Sequence, residues 1–240
     1  DHTSGYRGKY RLLYSLAACQ EMSEKAKLRP DLLIHIGEIT GDYSSLGVLA
    51  NEVWRVSPDG EIRDTFRKLR YVFEMQETTF FEHYSGGKDG CGQWHAECMG
   101  HLEAIRAKIA ELPFSNIWCA SRLAHRIPNG SVVHFGILNS LRSWNLFELP
   151  EFVSSASNVG GFGIDGGLSS LLGASLADKS KLCFGVIGDL AFFYDMNSLG
   201  NRHVGRNLRI LLVNNGMGTE FRQYQHHTSH FGDHADKFIA

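Results

Sequence analysis

The stretch LCFGVIGDL (182–190) combines a continuous run of apolar residues with a glycine and an acid directly behind it. A second apolar run, LRILLVNN (208–215), ends in two asparagines. Near-continuous apolar runs are typical of parallel strands that are covered by helices on both faces. The two runs therefore predict neighbouring strands of a buried parallel sheet.

Helix and strand patterns alternate on both sides of these two runs. Helical spacing of apolar residues, with Ser115 as an N-cap, predicts helices over 11–27, 94–112, 115–127, 141–149 and 164–177. Short apolar runs bounded by turn residues predict further strands over 30–37, 69–75 and 131–138, and the segment 52–64 combines another strand with a Pro-Asp-Gly turn. The alternation predicts an α/β fold made of two parallel-sheet, Rossmann-like domains with helices on both faces.

The segment SGGKDGCGQ (85–93) holds four glycines in nine positions and is the clearest linker in the sequence. We therefore expect a first domain over 1–84 and a second over 94–240. No strand precedes the first helix, so the first domain is expected to be incomplete and the chain to be a fragment. The second domain is also expected to be truncated at its C-terminus.

Composition excludes several classes of protein. The 240 residues carry a formal net charge of -2, which argues against nucleic acid or anionic lipid as a partner. No apolar run approaches the roughly 18 to 20 residues of a membrane span, and no secretory signal pattern begins the chain, so we expect a cytoplasmic protein. The five cysteines are odd in number and form no CxxC pair, which argues against a disulfide framework or a zinc ribbon.

Polar residues follow the two apolar runs at the ends where parallel sheets bind ligands. Asp189 follows Gly188 after the first run, and Asn215 follows 26 residues later at the end of the second. That separation accommodates a crossover helix and a return strand, so the two side chains are expected to be neighbours at the sheet edge. Carboxylate and amide oxygens are hard donors suited to Mg²⁺, and the glycine lets backbone approach a ligand closely.

For any single one of these residues, a local structural role is the more common one. Asp189 is then the cap of the following helix, and the asparagines begin a turn. Together, however, GDLAFFYDMNSL (188–199) and VNNGMGTEF (213–221) match the GD…NN signature of thiamine-diphosphate enzymes in order, spacing and strand context. Leu190 departs from the third position of the usual GDG.

The resemblance narrows to one family of these enzymes. With NVGGFGIDGGLSSLLGASLA (158–177), the two motifs resemble the diphosphate-binding domain of the succinyl-enolpyruvyl-hydroxycyclohexene-carboxylate (SEPHCHC) synthases of the menaquinone pathway. PDLLIHIG (30–37) and VWRVSPDGEIRD (53–64) resemble the second half of that family's central domain. The resemblance covers nearly the whole chain and implies a C-terminal piece of a three-domain enzyme.

The resemblance implies a site for Mg²⁺ and thiamine diphosphate. Asp189 and Asn215 would bind the metal through their side chains, and Met217 through its backbone carbonyl. Ile164 would be the apolar residue over which the cofactor bends, although core packing at a helix start explains it equally well. The residues implied around the cofactor are Asn139, Ser140, Gly163, Ile164, Gly188, Asp189, Leu190, Ala191, Asn215, Gly216, Met217, Gly218 and Thr219. Asn139 and Ser140 also fit a helix N-cap, and the sequence leaves that alternative open.

The chemistry that the resemblance implies is decarboxylation of a 2-oxo acid, after which the carbanion held by the cofactor adds to an acceptor or is protonated. Activation in this family needs a glutamate from an N-terminal pyrimidine-binding domain, usually of a partner subunit in a homodimer or homotetramer. No segment of this chain resembles that domain. We therefore expect no catalytic residue in the chain and no turnover by the chain alone.

The substrate-binding positions depart from the family pattern. Family arginines that grip substrate carboxylates align with Tyr43, Trp144 and Val159, none of which forms a charge-assisted pair with a carboxylate. Arg142 is a possible substitute, and Glu220 adds negative charge where an anionic substrate would lie. The candidate substrate contacts are Arg142, Trp144, Val159, Glu220 and Phe221. This pattern predicts a related enzyme with a different 2-oxo acid or acceptor.

Parts of the sequence also suggest three other interpretations. The histidines His226, His227, His230 and His234 raise the possibility of zinc, but they lack the HExxH pattern. The glycines of VGGFGIDGG (159–167) resemble a dinucleotide-binding loop, but no strand leads directly into them. The alternative of a different class is a noncatalytic module with the cofactor-binding fold, either used for assembly or isolated without activity.

Overall fold

The computed structural model describes residues 1–4, 8, 10–37, 44–84, 90, 92–159, 164–222, 227–232 and 234. The chain divides into two compact units. Unit 1 comprises Asp1, Lys9–Ile39 and Tyr43–Ile109, and unit 2 comprises His2–Gly8, Thr40–Asp42 and Ala110–Ala240. Each unit contains one parallel sheet with helices around it, which confirms the predicted α/β fold.

Unit 1 is built on a three-stranded parallel sheet. The strands are β1 (Leu32–Ile36), β2 (Glu52–Ser57) and β3 (Leu69–Glu74), in the order β1-β2-β3. The helices are α1 (Tyr14–Ala18), α2 (Met22–Lys27), α3 (Glu77–Tyr84) and α4 (Gly92–Ala107). The helix predicted over 11–27 is therefore two short helices, and α3 was not predicted.

Helix α4 belongs to unit 1, whereas the sequence placed it after the linker in the second domain. The indole Nε1 of Trp94 donates a hydrogen bond to the carbonyl of Leu28 at 3.2 Å, and its ring centroid lies 5.7 Å from that of Tyr14. Cys98 packs in the same buried cluster as Leu28 and Ala18. The contacts of Trp94 and Cys98 decide that α4 belongs to unit 1. The spacing of apolar residues along the sequence does not reveal these contacts.

Unit 2 is built on a four-stranded parallel sheet in the order β5-β4-β6-β7. Its strands are β4 (Val132–Phe135), β5 (Ser154–Ser157), β6 (Cys183–Gly188) and β7 (Leu208–Val213). Its helices are α5 (Asn116–Leu123), α6 (Asn139–Asn145), α7 (Gly167–Ala177) and α8 (Asp189–Asp195). The edge strand β5 has the sequence Ser-Ser-Ala-Ser, which lacks an apolar run, so it was not predicted.

Both faces of the unit 2 sheet are covered. On one face, Phe135 of β4 and Val186 of β6 pack in one buried cluster with Trp144 of α6. On the other face, Ile187 of β6 packs with Leu168 of α7 and the start of α8. Each fully buried side chain of this size contributes roughly 1.5 to 3 kcal/mol. The core therefore fixes the sheet between two helical layers and leaves the carboxyl ends of its strands for the site.

The start of the chain packs into unit 2. His2 is fully buried, and its backbone N–H donates to Oδ1 of Asn145 at 3.0 Å. Its ring Nε2 lies 3.0 Å from the carbonyl oxygen of Trp144 and 2.7 Å from that of Phe147. Because carbonyl oxygens only accept, Nε2 carries the proton and donates to the last turn of α6.

Gly185 of β6 is the point where α7 approaches the sheet most closely. A Cβ added at Gly185 would lie 2.6 Å from Cδ2 of Leu171, which is buried. We expect Gly185→Ala to lower the free energy of unfolding by about 1 to 3 kcal/mol, since either the leucine or the helix must move. Denaturant unfolding measures this difference.

The control for this substitution is Gly173→Ala on α7, the helix that packs against Gly185. Gly173 is exposed, and no atom lies within 4 Å of an added Cβ. This variant is expected to gain about 0.5 to 1 kcal/mol from helix propensity. A Gly185→Ala variant as stable as the native chain would contradict the close packing.

Two further findings concern helix length and thiols. Among the described residues, no helix is both long enough and apolar enough to cross a membrane. Cys19, Cys98, Cys119 and Cys183 are free thiols. Burial, with a smaller contribution from Glu97, raises the pKa of Cys98 to about 11, so this thiol stays protonated at neutral pH and is a poor nucleophile.

Candidate functional site

The candidate site lies at the carboxyl ends of β6 and β7, which pair in parallel up to Gly188 and Val213. Asp189 follows β6 directly as the first residue of α8 and is 7% exposed. Its Oδ2 accepts a hydrogen bond from the backbone N–H of Gly216 at 2.7 Å, and its Oδ1 accepts one from Leu190 at 2.8 Å. The carboxylate is therefore bound directly to the loop after β7.

The loop after β7 turns sharply and presents oxygen atoms. Gly216 has a φ of +66°, a conformation that glycine adopts without steric cost. Oδ1 of Asn215 accepts from the backbone N–H of Met217 at 3.1 Å, and the carbonyl of Met217 accepts from Thr219 at 3.0 Å. Asn215 and Met217 are both exposed, so the same short loop carries an amide oxygen and a carbonyl oxygen at the molecular surface.

The end of β4 meets the same loop through α6. Nδ2 of Asn139, the first residue of α6, donates to Oγ1 of Thr219 at 2.6 Å. Ser140 is buried beside it, with its Oγ 3.4 Å from a Cβ added at Gly136. The structure thus brings together candidate residues from the ends of three strands, although they are up to 80 residues apart in sequence.

Asn116 was not predicted as part of this region. Its Nδ2 donates to the backbone carbonyl of Asn139 at 3.2 Å and so ties α5 to the start of α6. In the sequence, Asn116 follows the N-cap Ser115, and that position carries no sign of a contact with a residue 23 positions further on. Only the packing of α5 beside α6 reveals its role.

Backbone strain lies directly before Asn139. Leu138 has a φ of +60° and a ψ of -114°, which is unusual for a residue with a side chain. Its carbonyl accepts from the N–H of Arg142 at 2.7 Å, which helps α6 hold it there. Strain of this kind costs of the order of 1 to 3 kcal/mol and is concentrated at functional sites.

Ile164 lies partly buried against Leu168, Ile187 and Ala191. This contact agrees with the core-packing alternative and also places Ile164 close to α8, whose first residue is Asp189. Gly163 lies outside the described residues. Of the other glycines, Gly188 has no atom within 4 Å of an added Cβ, so its backbone is open to a ligand.

The candidate substrate contacts are not all at the surface. Trp144 is 2% exposed and packs its ring 5.6 Å from that of Phe135 in the core of unit 2. An alignment gives only the position of a residue along a helix. Whether Trp144 contacts the core or a ligand depends on which face of α6 carries it. Arg142 is half-buried and Val159 is 40% exposed. Tyr43 and the side chains of Glu220 and Phe221 lie outside the described residues.

The described histidines near the end of the chain form no metal site. His227, His230 and His234 are described and His226 is not. Across the part of the chain that the structure describes, no group of three or more His, Cys, Asp or Glu side chains is placed to hold a metal ion. The Asp189 region is of another kind, because an amide and a backbone carbonyl accompany its single carboxylate.

The residues at the β6–β7 edge fit Mg²⁺ and a diphosphate. A carboxylate, an amide oxygen and a backbone carbonyl are hard oxygen donors that suit Mg²⁺. Each of these oxygens accepts one N–H bond in the structure, and its second lone pair can serve a metal. A Cβ at Gly188 or Gly216 would meet nothing within 4 Å, so phosphate oxygens have room beside both backbones.

A neighbouring histidine gives the stability of unit 2 a pH dependence. Burial lowers the pKa of His134 on β4, because the charged imidazolium loses hydration there. A lowered folded-state pKa means that the unfolded chain binds the proton more readily. The stabilisation is therefore present above the unfolded pKa of about 6.5 and is lost as the pH falls below it.

We expect His134→Gln to flatten the dependence of unfolding free energy on pH between about 7.5 and 5. The exposed His203→Gln variant is the control and is expected to keep the native profile. Denaturant unfolding at several pH values measures both. Identical profiles for the native chain and His134→Gln would contradict the assignment.

Comparisons with known proteins identify relatives of the chain. No family model matches the chain. The 2-succinyl-5-enolpyruvyl-6-hydroxy-3-cyclohexene-1-carboxylate synthase of Bacteroides fragilis is 41% identical over 176 residues, which are 71% of this chain and 30% of that protein. The chain is a homologue of these synthases. The Phocaeicola vulgatus synthase is 36% identical over 170 residues, again 71% of this chain and 30% of that protein.

A third synthase extends the similarity along the chain. The protein of that name from Desulfotalea psychrophila is 33% identical over 215 residues, which are 87% of this chain and 38% of that protein. The resemblance to SEPHCHC synthases that the motifs indicate is thereby confirmed. The relatives of the chain are enzymes. The chain spans about 30% of the length of the first two relatives.

Proposed function

We propose that this chain forms the diphosphate-binding part of a thiamine-diphosphate- and Mg²⁺-dependent enzyme that decarboxylates a 2-oxo acid and transfers the product to an acceptor. One observation carries the proposal: the Asp189 carboxylate and the Asn215 loop are joined at the edge of the β6–β7 pair. Homology to SEPHCHC synthases supports the reaction class. The donor set at this edge supports the choice of metal.

Each residue of the site has a defined task in this proposal. Asp189, Asn215 and the backbone carbonyl of Met217 would hold Mg²⁺, which would supply positive charge for the diphosphate. The backbones of Gly188 and Gly216 leave room for the phosphate oxygens, since a Cβ at either glycine would meet no atom within 4 Å. Bound thiamine diphosphate supplies the electron sink for decarboxylation. Asn139 keeps the loop in place through its bond to Thr219.

Other parts of the enzyme complete the active site in this proposal. A pyrimidine-binding domain, contributed across a homodimer or homotetramer interface, supplies the activating glutamate. The matched fraction of the relatives agrees with such an arrangement, since about 70% of their length lies outside the match. The chain by itself is expected to bind cofactor without turnover.

The substrate is proposed to differ from that of the relatives in its carboxylate recognition. Trp144 lies in the core, so Val159 and Tyr43 are the positions that distinguish this chain from its relatives in this proposal. Val159 is exposed at the end of β5, where an aliphatic side chain offers no donor to a carboxylate. Replacing a guanidinium there removes a charge-assisted pair, so a different 2-oxo acid or acceptor is favoured.

A chimaera tests this proposal. In the Bacteroides fragilis synthase, the matching segment is replaced by that of this chain, and release of carbon dioxide from a panel of 2-oxo acids is measured. We expect turnover of roughly 1 per second or more that requires both Mg²⁺ and thiamine diphosphate. With 2-oxoglutarate and isochorismate the rate should fall well below that of the unaltered synthase.

Each part of the proposal has its own contrary outcome. A folded chimaera that fails to bind thiamine diphosphate contradicts the cofactor site. A rate with 2-oxoglutarate and isochorismate equal to that of the unaltered synthase contradicts the changed substrate. Cofactor binding without turnover of any 2-oxo acid would favour the noncatalytic assembly module.

A further inference from the structure

The carboxylate of Asp195 joins two helices of the site. Asp195 is the last residue of α8, and both of its oxygens bind one residue of the first turn of α7. Oδ2 accepts from the backbone N–H of Ser169 at 2.6 Å, and Oδ1 accepts from the Ser169 hydroxyl at 2.6 Å. The two residues are 26 positions apart, so this is a tertiary contact and not a local turn.

The first turn of α7 depends on this carboxylate. The residue before the helix is Gly166, which has a φ of +76° and no side chain that could cap the helix. The first backbone N–H groups of a helix need acceptors from outside it. Asp195 provides one such acceptor, and its negative charge is favourable beside the positive end of the helix.

The turn before α7 is also fixed from its other side. Nδ2 of Asn158, just after β5, donates to the carbonyl of Asp165 at 2.7 Å. A Cβ at Gly166 would lie 3.0 Å from the same Nδ2, so only glycine fits there without displacing it. The turn that carries Ile164 is therefore held between the end of β5 and the end of α8.

Helix α8 connects the two ends of the proposed cofactor site. Its first residue, Asp189, is the candidate metal ligand, and its last residue, Asp195, holds the helix that follows Ile164. Ile164 itself packs against the buried cluster that Ala191 of α8 and Leu168 of α7 form with Ile187 of β6. A displacement of α7 relative to α8 would therefore move Ile164 without moving the β6–β7 edge.

We propose that Asp195 is a positioning residue that sets the place of Ile164 relative to Asp189. It thereby controls how the ring portion of the cofactor is held, while the diphosphate is held independently. This inference rests on the proposed function, because Ile164 has such a task only in a thiamine-diphosphate site. It assigns to Asp195 no contact with the cofactor.

Two ligands separate the two ends of the site. The native chain, Asp195→Ala and Asp195→Asn are titrated calorimetrically with magnesium pyrophosphate and with magnesium thiamine diphosphate. We expect Asp195→Ala to weaken thiamine diphosphate binding by about 10-fold and to change pyrophosphate binding by less than about 2-fold. Asp195→Asn should recover part of the loss, since its Oδ1 can still accept from the Ser169 N–H.

Hydrogen exchange of the Ser169 amide checks the geometry without any ligand. Exchange at Ser169 should accelerate in Asp195→Ala and less so in Asp195→Asn. The matched control is Asp178→Ala, an exposed-loop acid at the other end of α7 whose Oδ1 is bound by Ser180. This variant should leave both affinities and the Ser169 exchange rate unchanged.

The outcomes distinguish this inference from the proposed function. Three results overturn the positioning role alone. Asp195→Ala loses affinity for both ligands equally, or it loses affinity for neither, or the native chain binds both ligands with equal affinity. Unchanged exchange at Ser169 in Asp195→Ala also overturns it. A native chain that binds neither ligand overturns the proposed function and this inference with it.

Discussion

Asp189→Ala is expected to weaken the Mg²⁺-dependent binding of thiamine diphosphate by at least about 100-fold, because loss of groups that only support a metal ligand already costs 10- to 100-fold. The substitution removes the one charged ligand of the proposed site and also the acceptor of the Gly216 N–H. Calorimetric titration of the chain with thiamine diphosphate, with and without Mg²⁺, measures the change.

The control for this prediction is Asp178→Ala, which removes an acid near the opposite end of β6. Its carboxylate accepts from the N–H and the hydroxyl of Ser180, and these bonds lower its pKa. Binding by this variant should equal that of the native chain. If a folded Asp189→Ala chain bound the cofactor within about threefold of the native affinity, the metal assignment would be wrong.

Arg55→Ala is expected to lower the free energy of unfolding of unit 1 by about 2 to 4 kcal/mol, the sum of a core cavity and lost bonds to a charged group. Arg55 is fully buried within β2. Its Nε donates to the carbonyl of Glu61 at 3.2 Å, Nη1 to that of Gly37 at 3.4 Å, and Nη2 to the carboxylate of Asp59 at 3.3 Å. Native-state hydrogen exchange of the β2 amides measures the loss.

Arg63→Ala is the matched control, since Arg63 reaches the same Asp59 at 3.7 Å from a side chain that is 39% exposed. Exposed pairs contribute about 0.2 to 1 kcal/mol, so its effect should be several times smaller. Equal effects of the two substitutions would contradict the importance of burial at Arg55.

Acid should weaken the same turn of unit 1. The backbone N–H of Glu61 lowers the pKa of Asp59, with smaller contributions from Ser57, Arg55 and Arg63. A lowered folded-state pKa means that the carboxylate stabilises the fold above its unfolded value of about 3.9, and that this contribution is lost as the pH falls through the folded value. The protection of the β2 amides, measured as exchange relative to the intrinsic rate at each pH, should therefore decrease below about pH 4.

The strands of unit 2 could be predicted where their residues are apolar, both in the central, buried strand β6 and in the half-buried edge strand β7. Strands β6 and β7 are apolar runs, and their polar ends locate the carboxyl edge. Strand β5 is a polar edge strand, and only its pairing with β4 identifies it. The unit to which α4 belongs was missed for a similar reason, because the contacts of Trp94 with unit 1 lie far from it in sequence.

The meeting of Asp189 with the Asn215 loop could be foreseen, since parallel strands end at the same edge of a sheet. The contributions of Asn116 and Asp195 could not, because each binds a residue on another helix. The burial of Trp144 could not be foreseen either, because the rotation of α6 about its axis decides which of its residues face the core. The packing of one helix against another decides what such residues contact. The periodicity of the sequence constrains that packing only loosely.

The central claim is that Mg²⁺ and a diphosphate lie between the ends of β6 and β7, and paramagnetic broadening by Mn²⁺ tests it directly. Mn²⁺ with thiamine diphosphate is added to the isotope-labelled chain, and amide signals are followed by NMR. We predict selective broadening at Asp189, Leu190, Gly216 and Met217, reversed by excess Mg²⁺ and absent in Asp189→Ala. Broadening centred on the Asp178 turn or the unit 1 sheet, or none at the β6–β7 edge, would contradict the account.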